Sequence, residues 1–142
     1  MKLVFDMDNT LSDDFGNKLR PGIKPLLERL KKEGHSLILW TNSGRARAIE
    51  ILKRNELYEF FDTRIYREDY DPENKKLMKD ISLIQADILI DDDPAEIAFN
   101  QKNKQKAILV KAYRGKEVET DEEETLKIYK AIQKVNKPFW LF

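Results

Sequence analysis

Residues 5–11 read FDMDNTL, and they continue a short apolar run that begins at Leu3. Two acids, Asp6 and Asp8, therefore stand two positions apart at the end of a candidate strand. On one strand, residues two apart face the same side, and two carboxylates placed in this way repel each other. Such a pair needs a neutralising partner, and the nature of that partner indicates what the site does.

The apolar pattern alternates short strand-like runs with longer helical stretches. The strand candidates are residues 2–5, 36–40, 60–66, 87–90 and 107–110, and the helix candidates are residues 23–33, a helix capped by Ser43, 73–84, 94–100 and a helix beginning at 119–124. This alternation predicts an α/β fold, a Rossmann-like three-layer sandwich with a five-stranded, mostly parallel sheet. No linker or repeat interrupts the pattern, so residues 1–142 are interpreted as a single domain.

Polar residues follow three of the predicted strands. Asp6 and Asp8 follow the first strand, Thr41 and Asn42 the second, and the acidic run 91–93 the fourth. Ligands of parallel sheets bind beyond the carboxyl ends of the strands, so we expect these side chains to meet at one edge. Converging carboxylates require a cation, and Mg²⁺ prefers oxygen ligands. Acids, a cation, a hydroxyl and a lysine together indicate phosphoryl transfer.

The composition excludes several other classes of protein. The chain contains 26 basic and 26 acidic residues, and this balance does not favour nucleic acid as a partner. It contains no cysteine, which excludes disulfides and zinc sites built on thiolates. The sequence shows neither a signal-peptide pattern nor an apolar span of about 18 residues. We therefore expect a soluble, cytoplasmic protein without membrane contact.

The motifs resemble those of the haloacid dehalogenase (HAD) superfamily, and they occur in the same order. FDMDNTL is similar to the first motif, Asp-x-Asp-x-Thr, and LILWTNS to the second; MKDISL supplies the lysine of the third, and ILIDDDP the acids of the fourth. Two capless groups are the most similar: the NLI-interacting-factor and polymerase C-terminal-domain phosphatase-like proteins, and the small magnesium-dependent phosphatases. The segments between motifs are too short for a cap domain. They are also too short for the strand insertion of the polymerase-tail phosphatases, so the phosphoserine-peptide specificity of that group is not transferred.

The resemblance implies a role for each motif residue. Asp6 would be the nucleophile that forms an aspartyl-phosphate, and Asp8 would protonate the leaving oxygen and then activate water. Thr41 would donate a hydrogen bond to the phosphoryl oxygens. The implied catalytic residues are Asp6, Asp8, Thr41 and Lys79. The implied ligands of Mg²⁺ are the Asp6 carboxylate, the Asp8 backbone carbonyl and an acid of the fourth motif, Asp92 or Asp91.

Two of these assignments are open at the level of the sequence. Asp92 is favoured over Asp91 as the direct metal ligand, but the two could exchange roles. Lys79 lies in KDIS, a string similar to the lysine segment of the polymerase-tail phosphatases. Lys75 or Lys76 would better match the commoner arrangement, in which the lysine begins a helix.

The predicted reaction is hydrolysis of a phosphomonoester, either a phosphoprotein or a small sugar or nucleotide phosphate. Asn42 and Arg45 are the candidate substrate-binding residues, because both lie just after the second motif. The alternative is a HAD-fold binding or regulatory module with little or no turnover. A signalling receiver domain uses a similar site, but its motifs come in a different order. The apolar tail, residues 137–142, is a candidate homodimer contact.

Overall fold

Five short strands form one sheet in the order β3-β2-β1-β4-β5, and every neighbouring pair is parallel. The strands are β1 (Lys2–Phe5), β2 (Ser36–Trp40), β3 (Thr63–Ile65), β4 (Ile88–Asp91) and β5 (Lys106–Leu109). The computed structural model describes residues 1–116 and 121–136, without the side chains of residues 121 and 122. The prediction of an α/β fold with a five-stranded sheet is confirmed.

Helices cover both faces of the sheet. They are α1 (Ile23–Lys32), α2 (Arg45–Arg54), α3 (Arg67–Tyr70), α4 (Pro94–Lys102) and α5 (Asp121–Asn136), with 3-10 turns at Tyr58–Phe60 and Ile81–Ile84. Alternate residues of a strand point to opposite faces. Leu3 and Phe5 accordingly pack with α1, α2 and α5, whereas Val4 packs with α4 and the second 3-10 turn. Burial on both faces explains why the three inner strands, β1, β2 and β4, are apolar almost throughout.

Local sequence signals account for the buried face of α1 and for the start of α4. The apolar positions of α1 recur at helical spacing, and all four of them, Ile23, Leu26, Leu27 and Leu30, are buried. At the start of α4, the Asp93 carboxylate accepts a hydrogen bond from the N–H of Ala95, and Pro94 occupies the first turn, as the sequence predicts. The prediction that Ser43 caps α2 is wrong. Gly44 is the N-cap, and the Glu68 carboxylate instead accepts from the Arg45 N–H at 3.0 and 3.1 Å.

The predicted helix over residues 73–84 is also wrong, because only its last residues are helical, as the 3-10 turn. Asn74 and Lys76 have positive φ, at 54° and 58°, which is incompatible with a right-handed helix. The Asp71 carboxylate accepts hydrogen bonds from the N–H groups of Lys75 and Leu77 instead. Residues 72–80 therefore form an irregular loop, named here the lysine loop, between α3 and that turn.

The described segments between β1 and β4 contain no inserted cap domain, in agreement with the sequence analysis. Across residues 1–116 and 121–136, no helix has the length and apolar character needed to span a membrane. The prediction for the acidic start of the last helix is partly testable, because α5 begins at Asp121 while residues 117–120 lie outside the described residues. The apolar tail, residues 137–142, also lies outside them.

Candidate active site

Asp6 lies immediately after β1, and its backbone N–H continues the sheet by donating to the Ile90 carbonyl at 3.0 Å. The chain then turns, since the N–H groups of Thr10 and Leu11 both donate to the Met7 carbonyl. Met7 is fully buried, which fixes the turn in the core. The two carboxylates have different partners, because Asp6 Oδ1 accepts from Lys79 Nζ whereas both oxygens of Asp8 accept from Arg47.

Lys79 is the lysine that the structure brings to Asp6. Its Nζ lies 2.8 Å from Asp6 Oδ1 and 2.8 Å from Asp91 Oδ2, and its side chain is only 4% exposed. Lys75 is exposed and pairs with Glu73, and Lys76 is exposed as well. The favoured choice of the sequence analysis is therefore the one whose geometry fits the site, although Lys79 lies on a loop rather than a helix.

Two residues of α4 hold the backbone of Lys79 from either side. The Lys79 N–H donates to Glu96 Oε1 at 2.8 Å, and Asn100 Nδ2 donates to the Lys79 carbonyl at 2.8 Å. Glu96 and Asn100 are four positions apart, so they lie on the same face of α4. Asn100 is fully buried and Glu96 nearly so. These contacts fix a catalytic candidate that has no regular secondary structure of its own.

Three carboxyl groups converge beside this lysine. Ligand oxygens of Asp6, Asp91 and Asp92 lie within 4.8 Å of one another. The Thr10 hydroxyl lies 3.0 Å from Asp6 Oδ2 and 3.2 Å from Asp92 Oδ1, so it bridges two of the acids. An all-oxygen donor set of this kind fits Mg²⁺, which is a hard cation.

The ionisation of these acids reflects their burial. Burial raises the pKa of Asp6 to about 6, with a further contribution from Asp92, against the opposing effect of Lys79. Burial and the Asp6 charge raise the pKa of Asp91 to about 6. Burial alone would lower the pKa of Lys79, but the charges and hydrogen bonds of Asp6 and Asp91 overcome it, and the pKa is raised. The lysine thus stays charged, whereas burial disfavours the ionised forms of Asp6 and Asp91.

Asp91 and Asp92 differ in the use of their oxygens. Asp91 is 1% exposed, and its two oxygens accept hydrogen bonds from Lys79 Nζ and from the Asp93 N–H. Asp92 is less buried and lines the cleft, and the Thr10 hydroxyl lies 3.2 Å from its Oδ1. Asp92 is therefore the acid of this pair that a ligand in the cleft reaches more easily.

Thr41 and Asn42 lie where the sequence analysis placed them, directly beyond β2. Thr41 is buried, and its Oγ1 accepts a hydrogen bond from the Ser43 N–H at 3.0 Å, which leaves its hydroxyl proton available for a ligand. Asn42 is exposed, and the Tyr70 hydroxyl lies 3.4 Å from Asn42 Oδ1. Both residues line the same cleft as Asp6 and Asp8.

Arg45 and Arg47, at the start of α2, pair with different acids. Arg45, the favoured candidate for substrate contact, pairs with Asp69 and does not line the cleft. Arg47 instead makes a two-point contact with Asp8: its Nη1 lies 3.0 Å from Asp8 Oδ2, and its Nη2 lies 3.0 Å from Asp8 Oδ1. The same guanidinium donates to the Ser43 hydroxyl and to the Asp14 carbonyl. The planar fork of arginine suits this two-point contact with a carboxylate.

Sequence reasoning missed a buried arginine that braces the loop after β1. Arg20 is 1% exposed and donates to the carbonyls of Thr10 and Asn9 at 2.8 and 3.0 Å, and to the carbonyl of Lys111. It thereby ties the loop after β1 to the chain after β5. Sequence reasoning also missed the roles of four further residues, Thr10, Arg47, Glu96 and Asn100. Of these, only Thr10 had a signal, as the last position of the Asp-x-Asp-x-Thr pattern.

The site opens into a cleft of about 500 Å³. Its lining residues are Asp6, Asp8, Thr41, Asn42, Lys79, Asp91, Asp92, Asp93, Pro94, Glu96, Ala112 and Arg114. A larger groove of about 610 Å³ lies between α1 and α5, but it contains none of these side chains. Chemistry rather than size therefore identifies the candidate active site.

Residues 1–138 match the family described as NLI interacting factor-like phosphatase, and the chain belongs to that family. The match covers every motif residue named above. It confirms the resemblance found in the sequence and supports the class of enzyme, a phosphatase. A search of curated protein sequences finds no match.

Solved structures share the fold at low sequence identity. A HAD-superfamily hydrolase from Ehrlichia chaffeensis is 13% identical with a TM-score of 0.63, and the match covers 95% of this chain and 97% of that chain. A hydrolase from Streptococcus pneumoniae is 12% identical with a TM-score of 0.67, covering 93% and 97%. A predicted phosphatase from Clostridium acetobutylicum is 14% identical with a TM-score of 0.64, covering 94% and 98%. These similarities establish a HAD-like fold.

Proposed function

We propose that the protein is a magnesium-dependent phosphomonoester hydrolase that acts through an aspartyl-phosphate on Asp6. The observation that carries the proposal is the placement of the Asp6 carboxylate. It lies on the cleft, 2.8 Å from a buried lysine amine and within 4.8 Å of two further acids. An isolated buried carboxylate would be strongly unfavourable, so this arrangement suits a group that works beside extra positive charge.

In the first step, an Asp6 oxygen attacks phosphorus and the bond between phosphorus and the leaving oxygen breaks. Asp8, protonated at this stage and released from one of its two contacts with Arg47, supplies the proton that the leaving oxygen takes up, and the product is an alcohol. In the second step, Asp8 removes a proton from water, and the water oxygen attacks the phosphorus of the aspartyl-phosphate. The acyl phosphate bond then breaks, which releases inorganic phosphate and regenerates the Asp6 carboxylate.

Other residues of the cleft position the phosphoryl group. The Thr41 hydroxyl is available to donate to a phosphoryl oxygen, and Asn42 offers an amide beside it. Lys79 holds Asp6 in place, and its charge partly offsets the negative charge that gathers during transfer. Arg47 fixes the carboxylate of Asp8 at the edge of the cleft.

Asp6 and Asp92 would hold Mg²⁺ through their carboxylates, with Asp91 as the neighbouring acid and the Asp8 backbone carbonyl as a further ligand. The ion, when bound, would supply neutralisation of charge on the phosphoryl oxygens. The substrate is a phosphomonoester of a protein or of a small sugar or nucleotide, and we expect it to be met in the cytoplasm.

The test measures release of phosphate from 4-nitrophenyl phosphate with Mg²⁺ and with EDTA. We expect turnover with Mg²⁺, its loss with EDTA, and its loss in the Asp6→Asn variant. Asp8→Asn should retain Mg²⁺ binding but turn over slowly, because the proton transfers lose their carrier. Activity that survives both EDTA and Asp6→Asn would refute the mechanism. A folded protein without any turnover would favour the alternative, a binding module.

A further inference from the structure

The segment that follows β5 forms one wall of the cleft and is held against the loop after β1. The Tyr113 N–H donates to the Asn9 carbonyl at 2.9 Å, and Asn9 Nδ2 donates to the Tyr113 carbonyl at 2.9 Å. Gly115, at φ +85°, approaches Asp13 so closely that an added Cβ would lie 3.1 Å from the Asp13 side chain. The backbone of Arg114 lies between these two contacts and is thus held in position against the loop after β1.

The charges of the cleft are strongly unequal. Six acids line it, namely Asp6, Asp8, Asp91, Asp92, Asp93 and Glu96, and the lining residues in the described part of the chain include two cations, Lys79 and Arg114. Lys79 is buried between Asp6 and Asp91. Arg114 is different, because 65% of its side chain is exposed. Of the two lining cations, Arg114 is the one that the non-reacting part of a substrate can reach.

Arg114 is held by an acid of the loop after β1. Its Nη1 lies 3.1 Å from Asp14 Oδ1 and 3.3 Å from Asp14 Oδ2, and the Asp14 side chain is 42% exposed. Exposed ion pairs of this kind contribute little to stability, so another anion can replace Asp14 at low cost. Asp14 would keep a partner after the exchange, because Asn9 also donates to its carboxylate. The pair is therefore suited to opening when an anion arrives.

We propose that Arg114 binds a second anionic group, a carboxylate or another phosphate, on the leaving group of the substrate. Asp14 competes with that group for the arginine. The inference rests on the proposed function and narrows its substrate class to phosphomonoesters that carry a further negative charge. Neutral leaving groups gain nothing from Arg114 and enter a cleft lined by acids.

The test compares substrates that differ in the second charge. The small pairs are 3-phosphoglycerate against glycerol 3-phosphate, and fructose 1,6-bisphosphate against fructose 6-phosphate. A phosphoserine peptide with neighbouring Glu, against the same peptide with Gln, forms the protein arm. We expect the wild type to prefer the more anionic member in kcat/KM, and the arm with the largest preference identifies the source of the anion.

Three variants assign the preference to a residue. Arg114→Gln should lower kcat/KM by about 10-fold for the more anionic member and by less than about 2-fold for the other, since a charge-assisted hydrogen bond is lost. Arg114→Lys should retain part of the preference. Asp14→Asn should increase it, mainly through a lower KM, because the competing carboxylate is gone. Arg54→Gln is the matched control, since Arg54 contacts the same loop at the Gly16 carbonyl but does not line the cleft.

Binding is measured in parallel by calorimetry on the Asp6→Asn protein, so that the inference is tested without turnover. The more anionic ligand should bind about 10-fold more tightly than its partner, and Arg114→Gln in the same background should remove the difference. Equal losses for both members of each pair would overturn the role of Arg114. Absence of turnover together with an Arg114-dependent binding preference would refute the proposed hydrolysis and leave this inference standing.

Discussion

Two groups of charged side chains meet at the cleft, and solvent reaches them very differently. The inner cluster, Asp6, Lys79 and Asp91, has side chains that are 10%, 4% and 1% exposed. The rim pairs, Asp8–Arg47 and Asp14–Arg114, have side chains that are 30–65% exposed. Removing one member of a buried group leaves the others without compensation, whereas water replaces a lost partner at the rim. The inner cluster should thus be fixed, and the rim should exchange partners.

The largest expected effect is on turnover at the inner cluster. Asp6→Asn should lower kcat by about 10⁴-fold or more, because the amide is a poor nucleophile and no second group takes over its role. The measurement is phosphate release under saturating 4-nitrophenyl phosphate with Mg²⁺. A variant that keeps a tenth of wild-type turnover would exclude Asp6 as the nucleophile.

The inner cluster should also respond strongly in stability. Lys79→Met should lower the free energy of unfolding by about 3–5 kcal/mol, because two buried carboxylates lose their cation. The measurement is urea denaturation in EDTA at pH 7. Lys76→Met is the matched control, since Lys76 is exposed, and its effect should stay within about 0.5 kcal/mol. Equal effects of the two substitutions would contradict the burial of the Lys79 charge.

The stability of the metal-free protein should depend on pH through the same inner cluster. The pKa values of Asp6 and Asp91 are raised from 3.8 to about 6, so the folded state favours their protonated forms. Their stabilising contribution is present below about pH 4 and is lost as the pH rises through about 6.

Asp6→Asn removes one of these groups. In EDTA, its free energy of unfolding relative to wild type should therefore increase by about 1–3 kcal/mol between pH 4 and pH 7. Denaturation curves of both proteins across that range make the comparison. Two curves that remain parallel would show that Asp6 ionises as freely as it does in the unfolded chain.

At the rim, Arg47→Lys tests how the Asp8 carboxylate is held. Lysine keeps the charge but loses the fork that contacts both oxygens. We expect kcat/KM to fall by about 10-fold for an alkyl phosphate, whose poor leaving group needs a well-placed proton donor, and by less than about 3-fold for 4-nitrophenyl phosphate. Equal losses for both substrates would indicate a general structural role. Arg54→Lys, on the same helix, is the control.

The smallest expected effect is the stability of the outer rim pair. Arg114→Gln should change the free energy of unfolding by no more than about 0.5 kcal/mol, because both partners are exposed. Thermal denaturation of the variant beside Lys79→Met would then show the contrast between the two regions directly. A loss of several kcal/mol in Arg114→Gln would mean that the rim is as rigid as the inner cluster.

Sequence alone located the parts of the site that strands position. Asp6, Thr41 and Asp91 come at the ends of apolar runs, and the parallel sheet carries such ends to one edge whatever the loops do. Prediction from the sequence failed for residues whose position depends on contacts with distant parts of the chain. Lys79 was assigned to a helix, because its anchors, Glu96 and Asn100, lie in a later element and give no local signal.

The arginines show a second limit. Residues two apart on a helix differ by about 200° in direction, so the choice between Arg45 and Arg47 depends on where α2 begins and what faces it. Arg45 contacts two acids of α3, Glu68 and Asp69. No spacing rule predicts these pairs from the sequence. Arg20 is a third case, because a buried arginine held by backbone carbonyls looks like any surface arginine in the sequence.

Because α4 holds the backbone of Lys79, the position of the Lys79 amine does not depend on the length of the lysine loop before it. Glu96 accepts a hydrogen bond from the Lys79 N–H, and Asn100 donates one to the Lys79 carbonyl. A neighbouring strand would make the same two kinds of contact. Residues 72–77, in contrast, are largely exposed. We therefore expect this stretch to tolerate an insertion, for example a grafted recognition peptide, without movement of the Lys79 amine away from Asp6. Residues 72–77 are thus a segment that can differ in sequence and length while Lys79 keeps its contacts with Asp6 and Asp91.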